Sequence, residues 1–189
     1  PLDVCLLVDE SGSMGYGKMR EARQTAIALR EALKDNQALN LWVFGHTADG
    51  YEWDGLGTTN MSVYWSPTYK SQLNAMGSMR ARSENRDGMA ILASADRVKA
   101  ESPSPSSNKL MIVISDGEPS ADKYRGYVAQ KHVKKVVKHL EGQGWSIIQV
   151  GIQGAREWIM KDMFTNWLYV DDMSQLPNKV SKIIRKVIK

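Results

Sequence analysis

The stretch LDVCLLVDESGSM, residues 2–14, decides the fold of this chain. Residues 2–9 form a near-continuous apolar run that ends in Asp9, which is typical of a central parallel strand buried on both faces. The residues that follow are polar and include Gly12, so the chain turns sharply where the strand ends. The stretch therefore predicts a buried strand that carries polar side chains to one edge of a sheet.

Helix and strand patterns alternate along the rest of the chain. Strands are predicted at residues 38–44, 109–115, 145–151 and 167–170, and helices at residues 18–34, 88–99, 123–143, 156–163 and 175–188. Residues 45–83 lack clean periodicity, and we interpret them as an insert with an edge strand or hairpin and a short helix around 69–76. This order predicts an α/β fold with a single three-layer, doubly wound, mostly parallel sheet and helices on both faces.

Length and composition fit one soluble domain. The chain has 189 residues, 42% of them hydrophobic and 24% charged, which is ordinary for a globular protein. Its longest apolar runs are far shorter than the ~18 residues that a membrane span needs. The chain has no initiator Met and no signal peptide, and we expect residues 1–189 to be one domain cut from a longer protein. The single cysteine, Cys5, excludes an internal disulfide and favours a cytoplasmic protein.

The net charge of +4 has two interpretations. Basic residues cluster in the predicted helices at 123–143 and 175–188, as a nucleic-acid-binding surface would require. Apolar residues interleave with them at helical spacing, however, so we interpret the charges as the solvated faces of two amphipathic helices. Nucleic acid is therefore not the expected partner.

Three polar clusters fall at the predicted strand ends and helix starts. Residues 9–14 follow the first strand, residues 85–88 precede a helix, and residues 115–119 follow the fourth strand. In sheets of this kind the ligand site lies beyond the carboxyl ends of the strands, where the strand order reverses. We therefore expect the three clusters to meet above the sheet.

The first cluster has the chemistry of a Mg²⁺ site. Asp9, Ser11 and Ser13 lie at i, i+2 and i+4, and a tight turn at Gly12 would aim one carboxylate and two hydroxyls at one point. Such hard oxygen ligands suit Mg²⁺, which takes near-octahedral geometry at about 2.0–2.1 Å, and also suit other divalent cations. The alternative for the same residues is an Asx turn followed by a helix N-cap.

The sequence DESGSM after an apolar strand resembles the Asp-x-Ser-x-Ser motif of von Willebrand factor A domains, the metal-ion-dependent adhesion site (MIDAS). The resemblance implies a Rossmann-like sheet and a protein-interaction module that does no catalysis. The family has an Asp after a strand like MIVISDG, which Asp116 matches, and a Thr in a second loop. Asn85 falls at the Thr position, Asp87 can compete with it, and either can face the metal. The implied ligand set is Asp9, Ser11, Ser13, Asn85, Asp87 and Asp116.

Three longer segments resemble one branch of the family, the carboxy-terminal domain of the CobT subunit of cobaltochelatase. They are ENRDGMAILASADRV, KLMIVISDGEP and WLYVDDMSQLPNKV, and the branch also has Asn-x-Asp-Gly in place of the Thr loop. The resemblance implies a module that docks an AAA+ ATPase in a chelatase-like or remodelling complex. The partner would offer an Asp or Glu carboxylate to the Mg²⁺.

A metal-dependent phosphate-ester hydrolase is the alternative function. An aspartyl phosphatase with Asp9 as nucleophile would need a second Asp as acid/base two residues later, where this chain has Ser11. Gly-x-Ser-x-Gly and Gly-rich phosphate-loop motifs are both missing. The sequence therefore predicts no catalytic residue, although His46, after a predicted strand end, has a place beside the site.

Overall fold

The computed structural model of the protein describes residues 1–48, 57–69, 73–104 and 107–188. The strands are β1 (Leu2–Asp9), β2 (Leu39–Ala48), β3 (Thr59–Trp65), β4 (Asn108–Ser115), β5 (Ser120–Ala121), β6 (Tyr124–Arg125), β7 (Trp145–Ile152) and β8 (Asn166–Val170). The helices are α1 (Lys18–Leu33), α2 (Leu73–Gly77), α3 (Asp87–Glu101), α4 (Gly126–Glu141), α5 (Glu157–Met163) and α6 (Leu176–Ile188), with short 3₁₀ turns at Gly12–Met14 and Met173–Gln175.

Six strands form one sheet in the order β3-β2-β1-β4-β7-β8. Only β3 runs antiparallel to its neighbour, and β1 lies near the centre with all eight of its residues buried. From β1 the chain moves outward through β2 to β3, and from β4 it moves the other way through β7 to β8. The predicted doubly wound α/β fold is confirmed, and the strand order reverses between β1 and β4.

A hydrophobic core lies on each face of the sheet. Alternate residues of β1 serve the two cores: Leu6 and Val8 pack on the side of α1 and α6, whereas Cys5 and Leu7 pack on the side of α3, α4 and α5. Cys5 is fully buried, and its burial raises the pKa of the thiol. Within the described part of the chain, no helix is long and apolar enough to cross a membrane.

Two predicted boundaries are wrong for physical reasons. The second strand continues to Ala48, beyond the predicted end at 44, because β3 of the insert pairs with it as an edge strand. The helix predicted from Lys123 begins only at Gly126, because Lys123 has φ 53, which no helix interior allows, and forms the turn between β5 and β6. The short helix of the insert, predicted around residues 69–76, lies at Leu73–Gly77.

Candidate metal centre

The carboxyl ends of β1 and β4 open into a cleft of about 470 Å³, at the point where the strand order reverses. Its walls are the loop after β1, the loop before α3, the loop after β4 and the start of α4. The lining residues are Ser11, Gly12, Ser13, Ser83, Glu84, Asn85, Asp116, Gly117, Glu118, Pro119, Ser120, Arg125 and Gly126. All three polar clusters of the sequence therefore reach this one cleft.

Asp9 shapes the loop that follows β1. Its Oδ1 accepts a hydrogen bond from the backbone N–H of Ser11 at 2.7 Å, and its Oδ2 accepts one from Ser115 Oγ at 2.8 Å. The first bond is the Asx turn anticipated from the sequence. The N-cap is not formed, since α1 begins after Gly17 and no side chain caps it. Asp9 therefore fixes the turn from beneath and leaves the hydroxyls of the loop facing the cleft.

The two serine hydroxyls connect this loop to the end of β4. Ser11 Oγ lies 3.1 Å from Ser13 Oγ, and Ser13 Oγ donates to Asp116 Oδ1 at 2.7 Å. Asp116 is 4% exposed although it lies on a loop. Three oxygen-bearing side chains from two strand ends thus share one side of the cleft.

Asn85 and Asp87 enter from the loop before α3. The amide nitrogen of Asn85 lies 3.1 Å from Asp87 Oδ2 and 3.4 Å from Asp9 Oδ2, and its amide oxygen accepts from the N–H of Ser120 at 2.9 Å. Asp87 is buried as the first residue of α3, and its Oδ1 has no hydrogen-bond partner among the described residues. The structure therefore brings all six predicted site residues into one hydrogen-bonded cluster.

His46 lies under this acidic cluster, fully buried at the end region of β2. Its Nε2 is 3.5 Å from Asp87 Oδ1. Burial lowers the pKa of His46, and the charge of Asp9 only partly opposes this. Burial also raises the pKa of Asp87 well above its ordinary value, and the charges of Asp9 and then Asp116 raise it further. A cation in the cleft would relieve the repulsion that Asp9 and Asp116 exert on Asp87.

The donor set fits a hydrated hard cation. Within residues 1–48, 57–69, 73–104 and 107–188, no three His, Cys, Asp or Glu side chains form a metal cage. Two hydroxyls and the Asp116 carboxylate face the cleft instead, and the buried Asp87 Oδ1 has no partner in the described part of the chain. Mg²⁺ usually keeps several waters and takes few protein oxygens, whereas structural zinc sites are built from Cys and His.

Two residues of the cluster were missed by the sequence analysis. Lys18 Nζ lies 2.5 Å from Asp116 Oδ2 and 3.1 Å from the carbonyl oxygen of Ser13. Ser115 binds Asp9 from the end of β4. The sequence contains only weak indications that these two residues belong to the site: Ser115 is next to Asp116, and Lys18 comes five residues after Ser13.

Known proteins with similar sequences or structures point to one family. The family model described as the von Willebrand factor type A domain matches residues 3–180. The uncharacterized protein YojO of Bacillus subtilis is 27% identical over 196 residues, which cover 97% of this chain but only 29% of that protein. This chain therefore spans less than a third of the length of that relative.

Solved structures share the fold at low identity. The pilus adhesin SpaC from Lactobacillus rhamnosus GG matches with a TM-score of 0.72 and 15% identity, over 100% of this chain and 31% of SpaC. Proximal thread matrix protein 1 from the mussel byssus, with a zinc-occupied MIDAS motif, matches with a TM-score of 0.64 and 18% identity, over 96% of this chain and 46% of its own.

Proposed function

Because the chain belongs to the von Willebrand factor type A family, we propose that it is a non-catalytic protein-interaction module whose cleft holds Mg²⁺ or another divalent cation. The observation that carries the proposal is the convergence of Asp9, Ser11, Ser13 and Asp116 at the ends of β1 and β4. When bound, the cation supplies a hard docking point for an Asp or Glu carboxylate of a partner.

The hydroxyls of Ser11 and Ser13 would hold the ion directly, with Asp116 and Asp9 bound directly or through water. The loop before α3 offers two further candidates: Asn85 lines the cleft, and Asp87 has the oxygen without a partner among the described residues. Hydroxyl ligands add no negative charge, so the ion keeps more of its attraction for an external carboxylate than an all-carboxylate cage would allow.

The surroundings of Asp9 support a site without catalysis. Asp9 is fully buried, and its two oxygens accept hydrogen bonds from Ser11 and Ser115. A nucleophile must reach its substrate, and an acid/base group is needed beside it. The position two residues after Asp9 is Ser11, which contacts Ser13 and cannot act as a carboxylic acid.

Exposed apolar side chains around the cleft support a protein as the ligand. Five of the six large apolar side chains that are exposed in the described ranges lie in the loop after β1 or in the first turns of α3, α4 and α5, all at the cleft edge of the sheet. We call this set the rim: Tyr16, Met89, Tyr127, Val128 and Trp158. Protein interfaces are enriched in Tyr, Trp and Met, so the rim suits a protein surface that surrounds a central carboxylate.

An AAA+ ATPase is the partner we propose, in a chelatase-like or remodelling complex of the cytoplasm. The support is the CobT-like character of residues 84–98 and 109–119. These two segments include the start of α3, all but the first residue of β4, and the loop that carries Asp116. Two of the three CobT-like segments therefore contribute residues to the cleft.

Metal linkage tests the site directly. A ligand that binds only the folded state stabilises it by mass action, so millimolar Mg²⁺ should raise the Tm of the domain. Asp9→Ala should abolish that rise, while Asp96→Ala, at an exposed aspartate on α3, should keep it. Separate Asn85→Ala and Asp87→Ala variants identify the ligand from the second loop. If Mg²⁺ raised the Tm of Asp9→Ala as much as that of the unmodified chain, the ion would bind somewhere other than this cleft.

Capture of the partner tests the docking mechanism. The ATPase whose gene lies beside the gene for this protein should be recovered when Mg²⁺ is present. It should be lost with EDTA or with the Ser11→Ala, Ser13→Ala double variant. Equal recovery in all three conditions would exclude a metal-bridged contact. Recovery of no ATPase in any of them would exclude this partner and leave the metal-binding module standing.

A further inference from the structure

The ammonium group of Lys18 lies where the cleft concentrates negative charge. Its Nζ is 2.5 Å from Asp116 Oδ2 and 3.1 Å from the carbonyl oxygen of Ser13. The other carboxylate oxygen of Asp116 accepts from Ser13 Oγ at 2.7 Å. Both oxygens of Asp116 are therefore occupied, one by a hydroxyl and the other by a cation that belongs to the chain itself.

The loop after β7 passes close to Lys18. Gly154 has φ +108, and a Cβ on it would lie 3.3 Å from Lys18 Nζ and 3.2 Å from the carbonyl oxygen of Asp116. The side chain of Lys18 is 18% exposed and that of Asp116 is 1% exposed. The pair is thus packed between α1 and the Gly154 loop, where water screens it less than it would an ion pair on the open surface.

We propose that Lys18 is a built-in counter-cation, which neutralises Asp116 in the metal-free domain and weakens the binding of a divalent ion. This inference rests on the proposed function, because it concerns the affinity of the cleft for a metal. An ion bound through Ser11, Ser13 and Asp116 must either take Asp116 Oδ2 from the ammonium or accept a positive charge next to the same carboxylate. In both cases Lys18 lowers the affinity.

The same contact has an opposite effect on the metal-free domain. The charges of Asp116 and Asp9 both act on Asp87, so Asp116 adds to the repulsion within the acidic cluster. Lys18 offsets part of that repulsion. Lys18 therefore stabilises the metal-free domain and disfavours binding of the divalent cation.

A Mg²⁺ titration of the domain by isothermal calorimetry tests the proposal. Lys18→Met keeps the length of the side chain and removes the charge, and we expect it to bind Mg²⁺ about tenfold more tightly than the parent chain. Lys18→Arg keeps the charge and should bind at or below the parent affinity. Arg20→Met is the matched control, since Arg20 lies on the same helix with a side chain 65% exposed and pairs with Glu21.

A second measurement separates competition from a general loss of structure. Without metal, Lys18→Met should have a lower Tm than the parent chain, and saturating Mg²⁺ should produce a larger rise in it. If parent and Lys18→Met bind Mg²⁺ equally, or if Arg20→Met gains as much, the role of Lys18 is overturned while the metal site stands. If neither the parent nor Lys18→Met binds Mg²⁺, both the proposed site and this inference fall.

Discussion

Glu10 follows Asp9 directly in sequence but serves a different part of the molecule. Its Oε1 accepts from the hydroxyl of Tyr64 and from the backbone N–H of Arg80, at 3.4 Å for the latter. Glu10 is fully buried, and this burial raises the pKa of its carboxyl, which the bond from Tyr64 partly opposes. Glu10 thus ties the loop after β1 to the insert, and the position of Ser11 depends on that attachment.

The attachment leaves no room at Gly45 of β2. A Cβ there would collide with the Glu10 carboxylate and lie 2.8 Å from Tyr64 Cε2. We expect Gly45→Ala to lower the free energy of unfolding by about 1–3 kcal/mol, because crowding in a packed interior forces side chains from their preferred rotamers. Denaturant unfolding measures the loss. Gly77→Ala is the control, because a Cβ there meets no atom of the described residues within 4 Å, and equal stability of the two variants would contradict this packing.

Some members of the acidic cluster are visible in the sequence and others are not. Asp9, Ser11 and Ser13 form a local pattern, and Asp116 follows a run that any buried strand would show. The contact of Lys18 with Asp116 depends instead on where α1 begins relative to the end of β4, 98 residues away. Spacing along a chain does not encode that distance, so the pair could be found only in three dimensions.

Among the elements, the β5–β6 hairpin connects two walls of the cleft. The backbone N–H and carbonyl of Ser120 pair with the carbonyl and N–H of Asn85, at 3.1 Å in each direction. The hairpin therefore joins the loop after β4 to the loop before α3. The helical pattern after Lys123 concealed it, because a strand of two residues has no period to detect.

The connection between Ser120 and Asn85 depends on the backbone N–H of Ser120. Ser120→Pro removes the N–H that donates to both the backbone carbonyl and the amide oxygen of Asn85. We expect the variant to lose about 1–3 kcal/mol of stability and most of its Tm response to Mg²⁺, because a buried acceptor loses its donor. Ser120→Ala keeps the N–H and should match the parent chain in both measurements. A normal Mg²⁺ response in Ser120→Pro would show that the hairpin does not position Asn85.

The strands β1, β4, β7 and β8 were predicted to within one residue at each end, whereas the end of β2 and the bounds of β3 were not. β1, β4 and β7 are buried on both faces, so their apolar runs mark them fully. The edge strand predicted in the insert is present as β3, but its bounds and the extension of β2 arise from their antiparallel pairing, which the irregular pattern of residues 45–83 does not specify.

On the scale of the whole molecule, the cleft and the rim share one face. The parallel strands end at this face, and α1, α3, α4 and α5 begin there. Arg156 stacks over the ring of Trp158 with its guanidinium carbon 5.2 Å from the ring centroid, and Lys131 Nζ lies 6.0 Å from that of Tyr127. Arg156 is already paired with Glu118, so the positive charge available to an acidic partner surface comes from Lys131.

Substitution of rim residues should weaken the binding of the partner protein without destabilising the fold. Trp158→Ala and Tyr127→Ala should each weaken partner binding by about 1–2 kcal/mol, as truncated interface aromatics do, and together they should weaken it further. The Tm and the Mg²⁺ response should stay at the parent values, because both side chains are largely exposed. Tyr69→Ala removes an exposed aromatic outside the rim and serves as the comparison. Unchanged partner affinity in the double variant would restrict the interface to the cleft itself.

Because Cys5 is buried, its presence as a free thiol does not indicate whether the protein works in a reducing or an oxidising compartment. The sulfur lies within the central strand with no exposed surface, and its raised pKa keeps it protonated. Oxidants and disulfide-exchange partners require an accessible thiolate, so this residue would stay reduced in the oxidising medium around a pilus as well as in a reducing cell interior. The cysteine count therefore gives no preference for either environment. Modification of Cys5 by thiol reagents would therefore report opening of the core between the sheet and α3, α4 and α5.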